Sequence, residues 1–343
     1  MPIFGSRAEP YQLALVGGAH IHTPNFIKRL TARRDVRVTA IWEHDDALAA
    51  RLSSVLDAPR CELDAIWANP AIGGVIICAE TNRHEELVLA AAAAGKALFV
   101  EKPLGLGAGD AGRMADAIER AGVLFQTGFF MRGQPINRFL REQVVAGNFG
   151  QLTRLRVMNC HAGALNGLFD SEWRWMADPA IAGVGGFGDL GAHALDLLLW
   201  FLDGQATPER GTARLGSATG RYGDCDEYGE GLLAFSGGIT ASVAAGWVDP
   251  SSHVSVEIAG TGGYATVANG ELFFESGAVP GADGKRAWKT LPEMLPHAFE
   301  QYLDAVTGQT DVPLVTAREA ATRSAIMEAL YESARHESWV ALS

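Results

Sequence analysis

The chain has 343 residues and a formal net charge of −12 at pH 7, with 48% hydrophobic and 20% charged residues. Because this length exceeds what one ordinary hydrophobic core supports, two domains are expected. The negative charge argues against nucleic-acid and anionic-membrane partners. No apolar run reaches the ~18 residues of a membrane span, and residues 1–10 lack the apolar core of a secretory signal.

The cysteines indicate a reducing compartment. There are four, none belongs to a C-x-x-C pair, and they are widely scattered: Cys61, Cys78, Cys160 and Cys225. Zinc and disulfide frameworks use regularly spaced cysteines. We therefore expect buried thiols in a cytoplasmic protein, with no metal centre.

The first third of the chain alternates short apolar runs with segments of helical period. The runs predict strands at Leu13–Val16, Val36–Trp42, Gly74–Cys78, Ala97–Val100 and Val123–Gln126. The intervening segments predict helices near Pro24–Arg34, Asp45–Leu56, Arg83–Ala94 and Ala108–Ala121. Such alternation is typical of βαβ units. Residues 1–128 are therefore predicted to form an α/β Rossmann domain, a doubly wound parallel sheet that binds a dinucleotide.

The pattern changes after Gly128. Helices are expected near Pro135–Ala146, Asp189–Leu202, Pro296–Thr307 and Ala317–Arg335. Short strands are expected at Leu152–Asn159, Gly231–Phe235, Ile239–Gly246, Val254–Ala259, Tyr264–Val267 and Leu272–Phe274. Their hairpin-scale spacing predicts an α+β domain over residues 129–343, with a large, mostly antiparallel open sheet.

The first strand runs into Gly17-Gly18-Ala19-His20-Ile21-His22. The dinucleotide fingerprint places glycines at the first, third and sixth positions of this turn. Only Gly17 fits, because Ala19 and His22 occupy the other two positions. The free N–H groups and dipole of the following helix can still bind phosphate. The alternative is a glycine-rich turn without a ligand.

An acidic residue, Glu43, ends the second strand. At that position a carboxylate accepts hydrogen bonds from the adenosine ribose and repels a 2′-phosphate, which favours NAD over NADP. Asp45 or Asp46 can serve separately as the cap of the next helix.

Glu101-Lys102-Pro103 follows the buried run Ala97–Val100. A lysine at the carboxyl end of a parallel strand faces the crevice where open α/β sheets bind ligands. The proline restricts the backbone of Lys102 and ends the strand. This pattern therefore predicts an ammonium group held at the crevice.

A second dense region is the glycine-rich segment 183–188, which leads into Asp189 and His193. These two residues are four apart and share one face of the expected helix. Asp189 could instead be an N-cap, and His193 a core histidine. A metal pair is a third alternative, although no third ligand is evident.

With these elements in order, the chain resembles the glucose–fructose oxidoreductase/inositol dehydrogenase (Gfo/Idh/MocA) family. The matching motifs are Gly95-Lys96 before Glu101-Lys102-Pro103, the segment 127–135, Gly185-Gly186 before Asp189 and His193, and the segment 329–340. The resemblance covers almost the whole chain. It implies a Rossmann domain joined to an α/β domain whose open sheet mediates a homodimer or homotetramer.

By that resemblance, Lys102, Asp189 and His193 form the catalytic group, and they also contact the substrate. The resemblance and the strand ends together predict these cofactor-binding residues: Gly17, Gly18, Ala19, His20, Ile21, Glu43, Thr81, Asn82, His84, Glu101 and Lys102. A helix-start packing role is the alternative for His84. Further candidates for the substrate pocket are Arg132, His161, Trp173, Arg174 and Trp175, of which the tryptophans could equally be packing residues.

The chemistry is consistent with alcohol oxidation. A base must take the hydroxyl proton while hydride leaves the same carbon. Histidine, with an ordinary pKa near ~6.5, suits this role, and Lys102 would stabilise charge on the reacting oxygen. Asp189 would orient the imidazole or the substrate.

The function expected is therefore an NAD-dependent sugar or polyol dehydrogenase or reductase. A glycosidase that uses bound NAD as a transient oxidant and a non-catalytic nucleotide or sugar sensor are the alternatives. The intact Lys102, Asp189 and His193 argue against the sensor.

Overall fold

The structure is a computed structural model that describes residues 9–251 and 253–342. Most of the N-terminal segment inspected for a secretory signal, residues 1–8, lies outside the described residues. The chain divides into two compact units. The first contains the chain up to Gly105, Gly109–Gly128 and Pro296–Thr322, and the second contains Leu106–Ala108, Phe129–Leu295 and the chain from Arg323 onward.

The first unit contains a five-stranded parallel sheet of order β2-β1-β3-β4-β5. Its strands are β1 (Tyr11–Val16), β2 (Val36–Trp42), β3 (Ile72–Ile77), β4 (Ala97–Val100) and β5 (Phe125–Thr127). The helices between them are α1 (Thr23–Thr31), α2 (Asp46–Leu56), α3 (Leu63–Ala68), α4 (His84–Ala93) and α5 (Ala108–Ala121). The predicted doubly wound Rossmann sheet is confirmed, and only the short α3 was not expected.

A late helix, α9 (Ala298–Val306), completes the core of this unit. The ring of Phe299 stacks on Phe26 with centroids 4.4 Å apart. The buried Tyr302 hydroxyl lies 3.2 Å from the carbonyl oxygen of Val75 and 3.1 Å from that of Ala97. Residues 129–295 belong to the second unit, and Pro296–Thr322 return to the first. The apolar face of α9 packs on this sheet, and Phe299, Tyr302 and Leu303 are buried in its core.

The second unit contains a nine-stranded sheet. In spatial order its strands are β13 (Asp283–Ala287), β12 (Glu271–Ser276), β11 (Gly263–Ala268), β10 (His253–Gly260), β6 (Leu152–Cys160), β9 (Thr240–Gly246), β8 (Tyr228–Phe235), β7 (Pro208–Gly216) and β14 (Val340–Ala341). Among the described strand pairs of this sheet, only β6 and β9 run parallel. The mostly antiparallel sheet is confirmed. Strands β7, β13 and β14 were not predicted, because their sequences are too polar or too short to give the period-two signal.

The remaining helices are α6 (Pro135–Val145), α7 (Pro179–Ala182), α8 (Gly186–Leu202) and α10 (Ala317–His336). Nearly every residue of α8 is buried, which agrees with its packing on β6 and β9. In the part of the chain that the structure describes, no helix is both long and apolar enough to cross a bilayer.

Candidate functional site

The predicted cofactor residues of the first unit lie at the carboxyl ends of its strands. In the order β2-β1-β3-β4-β5 the direction of winding changes between β1 and β3, which is where open α/β sheets bind nucleotides. The loop from Gly17 to His22 follows β1, and Thr81 with Asn82 follows β3. The arrangement fits a dinucleotide at this switch point.

The turn after β1 depends on Gly17. Its φ is +78°, and a Cβ at this position would lie 2.5 Å from the Cβ of Ala79, so other residues are excluded. The next N–H, that of Gly18, donates to the Glu43 carboxylate at 2.7 Å. Glu43 is 5% exposed and also accepts from the N–H of Asp45. Its carboxylate therefore braces the glycine turn, in addition to the ribose contact predicted for it.

Glu101 lies at the centre of a buried charge cluster. Nδ1 of His22 is 3.0 Å from its Oε1, and Nδ1 of His20 is 4.0 Å from the same oxygen. Its Oε2 accepts the backbone N–H of Lys102 at 2.8 Å. Burial disfavours the charged carboxylate, but the nearby His20, His22 and Lys102 outweigh this and hold the pKa of Glu101 well below its usual range. Glu101 is therefore an anion that fixes its neighbours.

Lys102 follows β4 directly and is 2% exposed, and the Lys102–Pro103 peptide is cis. The motif thus gives one ammonium group at a strand end, as the sequence predicts. Of the other residues of the loop after β1, Ala19 and Ile21 are half-buried, and the buried His20 packs edge-on against His22 with ring centroids 4.7 Å apart. These contacts form one continuous cluster beside the switch point.

Three predicted cofactor residues follow β3. Thr81 is buried and Asn82 is exposed in a short turn before α4. His84 is 1% exposed, and its ring nitrogens lie 3.1 and 3.2 Å from the carbonyl oxygens of Leu104 and Ala79. Burial lowers its pKa. Both nitrogens face backbone carbonyls, a packing contact that the sequence also allows for His84, and its contact with the cofactor stays a prediction.

In the second unit, α8 starts at Gly186, so Asp189 lies inside the first turn and is not the N-cap. The phenol oxygen of Tyr331 accepts the N–H groups of Gly185 and Gly188, both at 3.0 Å. It donates to Asp226, whose other oxygen accepts the N–H of Phe187. These two distant residues cap the helix, which is why it begins earlier than predicted.

Asp189 and His193 lie one turn apart on α8, and both are buried. The indole N–H of Trp247, the residue after β9, donates to Oδ2 of Asp189 at 3.0 Å. The imidazole of His193 meets the ring of Phe130 edge-on, with centroids 5.1 Å apart. The helix and its neighbours therefore hold the carboxylate and the imidazole in fixed orientations. Trp247 was missed, because nothing local marks a contact with a residue 58 positions away.

Arg132 belongs to a buried ion-pair network of the second unit. Its guanidinium pairs through two nitrogens with the carboxylate of Asp196, which is 1% exposed. Arg323 donates to the same carboxylate at 3.0 Å. A buried carboxylate needs such partners. The guanidinium of Arg132 therefore completes a buried ion-pair triad, and its contact with the substrate stays a prediction.

The other pocket candidates lie in the second unit, with Arg174 and Trp175 in the short 3-10 helix Arg174–Ala177. Nδ1 of His161 accepts the N–H of Gly163 at 2.9 Å, and Trp173 is half-buried. Arg174 and Trp175 line a cavity of about 460 Å³. Arg174 also lies over the ring of Tyr222, 4.8 Å from its centroid. This cavity has both the aromatic and the cationic lining expected of a carbohydrate pocket.

A parallel sheet with a glycine turn at its switch point, joined to a unit that presents an acid and an imidazole, defines a two-unit protein of the dinucleotide-binding α/β class. Residues 11–129 match the family model described as "Oxidoreductase family, NAD-binding Rossmann fold". Residues 137–266 match the GFO/IDH/MocA C-terminal domain. Together these matches cover more than half of the sequence, and the chain belongs to the GFO/IDH/MocA family.

Curated relatives agree with this membership. The chain is 26% identical over 241 residues to scyllo-inositol 2-dehydrogenase (NAD(+)) of Bacillus subtilis, covering 69% of this chain and 66% of that protein. It is 30% identical over 200 residues to the rhizopine catabolism protein MocA of Rhizobium meliloti, covering 57% and 58%. The chain thus spans no more than two thirds of the length of these relatives.

Solved structures show the same fold. Levoglucosan dehydrogenase in complex with NADH and levoglucosan superposes with a TM-score of 0.80 at 20% identity, covering 97% of this chain and 99% of that one. An inositol dehydrogenase homolog of Azotobacter vinelandii complexed with NAD+ gives 0.81 at 18% identity, covering 97% and 98%.

Proposed function

We propose that the chain is an NAD-dependent dehydrogenase that oxidises a secondary alcohol or hemiacetal of a sugar or polyol. The observation that carries the proposal is the pair Asp189 and His193 on one face of α8, with the Asp189 carboxylate held by Trp247. Relatives named as inositol and levoglucosan dehydrogenases support the substrate class.

Lys102, Asp189 and His193 are proposed to act on one substrate. His193 takes the hydroxyl proton, since a neutral imidazole is a suitable base near neutral pH. Lys102 donates a hydrogen bond to the same oxygen and stabilises the negative charge that develops there. Asp189, oriented by the Trp247 indole, sets the direction of the imidazole or of a substrate hydroxyl. The cavity beside Arg174 and Trp175 is proposed to receive the rest of the carbohydrate.

The cofactor proposed for the switch point is NAD, which accepts the hydride when bound. Gly17 lets the backbone turn, and the positive end of the α1 dipole lies beside this turn and favours a diphosphate. The Glu43 carboxylate, which braces this turn, disfavours a 2′-phosphate by charge repulsion, so NAD is proposed over NADP.

The direct test is a substrate panel. Purified protein is mixed with NAD+ or NADP+ and with inositols, levoglucosan, aldoses and alditols, and the absorbance of the reduced nicotinamide is followed. We expect reduction with at least one cyclic polyol or sugar and a higher kcat/KM with NAD+. The NAD-dependent glycosidase would be the better assignment if the protein keeps bound NAD, reduces none of it on any substrate and releases sugar from a glycoside. A clear advantage for NADP+ would overturn the role of Glu43.

We also propose a cytoplasmic homo-oligomer. All four cysteines are free thiols, which suits a reducing compartment. One face of the nine-stranded sheet carries α8, and the other exposes Tyr228 and Leu232 on β8 and Tyr264 on β11. Apolar side chains on an open sheet face favour association with a second copy.

A further inference from the structure

Three potential metal ligands meet in the second unit, although no motif links them in the sequence. Cys160, Asp249 and His253 each offer one ligand atom, and these atoms lie within 4.8 Å of one another. Cys160 is the last residue of β6, His253 is the first residue of β10, and Asp249 lies in the segment between β9 and β10. The expectation that no metal is bound rests on the spacing of the cysteines and on the lack of a third ligand beside Asp189 and His193, and it does not consider this cluster.

The sheet register brings these side chains together. Cys160 and His253 are direct partners in the antiparallel pair of β6 and β10, and such partners point to the same face of a sheet. On the other side Cys160 pairs with Gly246, the last residue of β9. The N–H of Asp249 donates to the carbonyl of His161 at 3.3 Å. This backbone hydrogen bond therefore holds the segment after β9 close to the end of β6.

The histidine has the second contact that is typical of a metal ligand. Its Nδ1 lies 3.0 Å from the carbonyl oxygen of Ser251. A neutral ring that donates its proton there keeps Nε2 as an electron-pair donor, which is the arrangement found around protein-bound metals. Cys160 is 6% exposed, whereas Asp249 and His253 are half-buried. An ion can therefore reach the cluster from solvent.

We propose that Cys160, Asp249 and His253 bind one Zn²⁺ ion. A thiolate, an imidazole and a carboxylate are all zinc ligands, and three protein ligands leave the fourth tetrahedral position for water. Bonds of about 2.0–2.3 Å require the ligand atoms to draw together by about 1 Å. The half-buried Asp249 and His253 side chains can make this movement. A thiolate also selects zinc over the harder Mg²⁺ and Ca²⁺.

A second cluster, His20, His22 and Glu101, satisfies the same distance criterion. It lacks a thiol, and one oxygen of its carboxylate already accepts the N–H of Lys102. It also lies in the loops proposed to hold the cofactor. These differences favour the cluster at Cys160 and make the other cluster a useful control.

The competing interpretation is a thiol that only donates a hydrogen bond. Burial raises the pKa of Cys160 to about 12, and the Asp249 carboxylate acts in the same direction. A thiol with these neighbours can be purely structural. Zinc titration distinguishes the two interpretations, because only a set of three ligands binds one ion per chain tightly.

The experiment uses the full chain after chelator treatment. Zinc binding is measured by calorimetry, and Co²⁺ is added separately because a thiolate ligand gives a sulfur-to-cobalt charge-transfer absorption. We expect one ion per chain and a charge-transfer band. Cys160→Ser should abolish the band, and His253→Gln should weaken zinc binding by at least about tenfold. His253→Gln changes a half-buried side chain, so it keeps the test valid if Cys160→Ser does not fold.

Two control variants complete the design. Cys225→Ser removes another buried thiol of the same unit, and His22→Asn removes a ligand of the other cluster. Both should retain zinc and the cobalt band. Absence of stoichiometric zinc binding in the unmodified chain would overturn the proposal, as would zinc binding that His22→Asn abolishes and His253→Gln leaves unchanged.

Discussion

At the residue scale, the backbone of Lys102 is fixed by its neighbour in the sequence. Its backbone N–H is held by Glu101, a buried carboxylate that is itself surrounded by imidazoles. A carboxylate this well compensated stays ionised and keeps its hydrogen bonds. The lysine is therefore placed by contacts within the first unit.

Lys102→Met should reduce kcat/KM by about 100-fold or more, because it removes the donor to the reacting oxygen while keeping the length of the side chain. Steady-state assays on the best panel substrate measure the loss, and fluorescence titration should show an NAD dissociation constant within a few-fold of the unmodified value. Lys285→Met, at an exposed position of β13, is the control and should be fully active. Unchanged turnover in Lys102→Met would remove the lysine from the mechanism.

The site residues differ in how far the sequence could predict them. Lys102 and Gly17 follow apolar strands, so position alone indicates a place at the switch point. Arg132 carries no such signal, and the partner that engages it, Asp196, is identified only by the packing of α8 against its neighbours. Trp247 and Asp226 were missed for the same reason, since their contacts join residues far apart in the chain.

At the element scale, the start of α8 depends on close backbone packing. A Cβ on Gly186 would lie 2.3 Å from the carbonyl oxygen of Glu227. The glycine-rich segment before Asp189 is thus needed for a strand to approach the helix end. The sequence shows that glycines cluster there, but it does not show which backbone segment packs against them.

Gly186→Ala should therefore destabilise the protein by about 1–3 kcal/mol, because neither backbone can move away without breaking the capped helix start. Gly112→Ala is the matched control. This glycine lies within α5, its added Cβ meets nothing within 4 Å, and alanine favours helix by up to about 1 kcal/mol. Urea unfolding gives both values. Equal stability of the two variants would contradict the packing argument.

The cap of α9 should make stability depend on pH. Nδ1 of His297 accepts the N–H of Phe299 at 3.1 Å, so the ring must be neutral. Burial, aided by the positive charge of Arg29, lowers the pKa of His297 from 6.5 to about 4. Because the folded value lies below the unfolded one, this contribution is complete above pH 6.5 and is lost as the pH falls towards 4.

His297→Asn keeps a good N-cap acceptor and removes the titrating ring. We expect the unmodified protein to lose more unfolding free energy between pH 7 and pH 4.5 than His297→Asn does. Urea midpoints at the two pH values provide the comparison. Parallel losses in both proteins would show that other groups govern acid stability.

At the scale of the whole molecule, the open face of the nine-stranded sheet is the proposed oligomer interface. Leu232 points out of β8, where buried and exposed residues alternate, and is 38% exposed. A charge at this position would have to be desolvated when two sheets meet.

Leu232→Glu should therefore shift the protein towards monomer, measured by light scattering after size exclusion or by sedimentation equilibrium. Val55→Glu is the control, because Val55 is an exposed apolar residue of α2 in the first unit, and it should leave the mass unchanged. A monomeric unmodified protein, or a Leu232→Glu variant of unchanged mass, would contradict the proposed interface.

The two sheet architectures could be predicted because most of their strands carry a local pattern, a continuous apolar run in the parallel sheet and alternation in the antiparallel one. The order of the strands in each sheet and the placement of α9 could not be predicted from the sequence. The spacing of Phe299 and Tyr302 predicts an amphipathic helix, but it does not indicate which of the two sheets their side chains pack against. The cross-strand pair of Cys160 and His253 likewise depends on the register of β6 and β10, and the spacing of strands along the sequence does not determine that register.

The return of Pro296–Thr322 to the first unit has a consequence for synthesis on the ribosome. Amino-terminal domains commonly fold as they emerge, but here the sheet begun by β1 obtains Phe299 and Tyr302 only when most of the chain has been made. Until then its apolar face is uncovered and vulnerable to aggregation. Consequently, a gene truncated after Gly128 encodes every strand of the nucleotide-binding sheet but an unfinished core, and the two units cannot be exchanged with those of relatives by a single crossover.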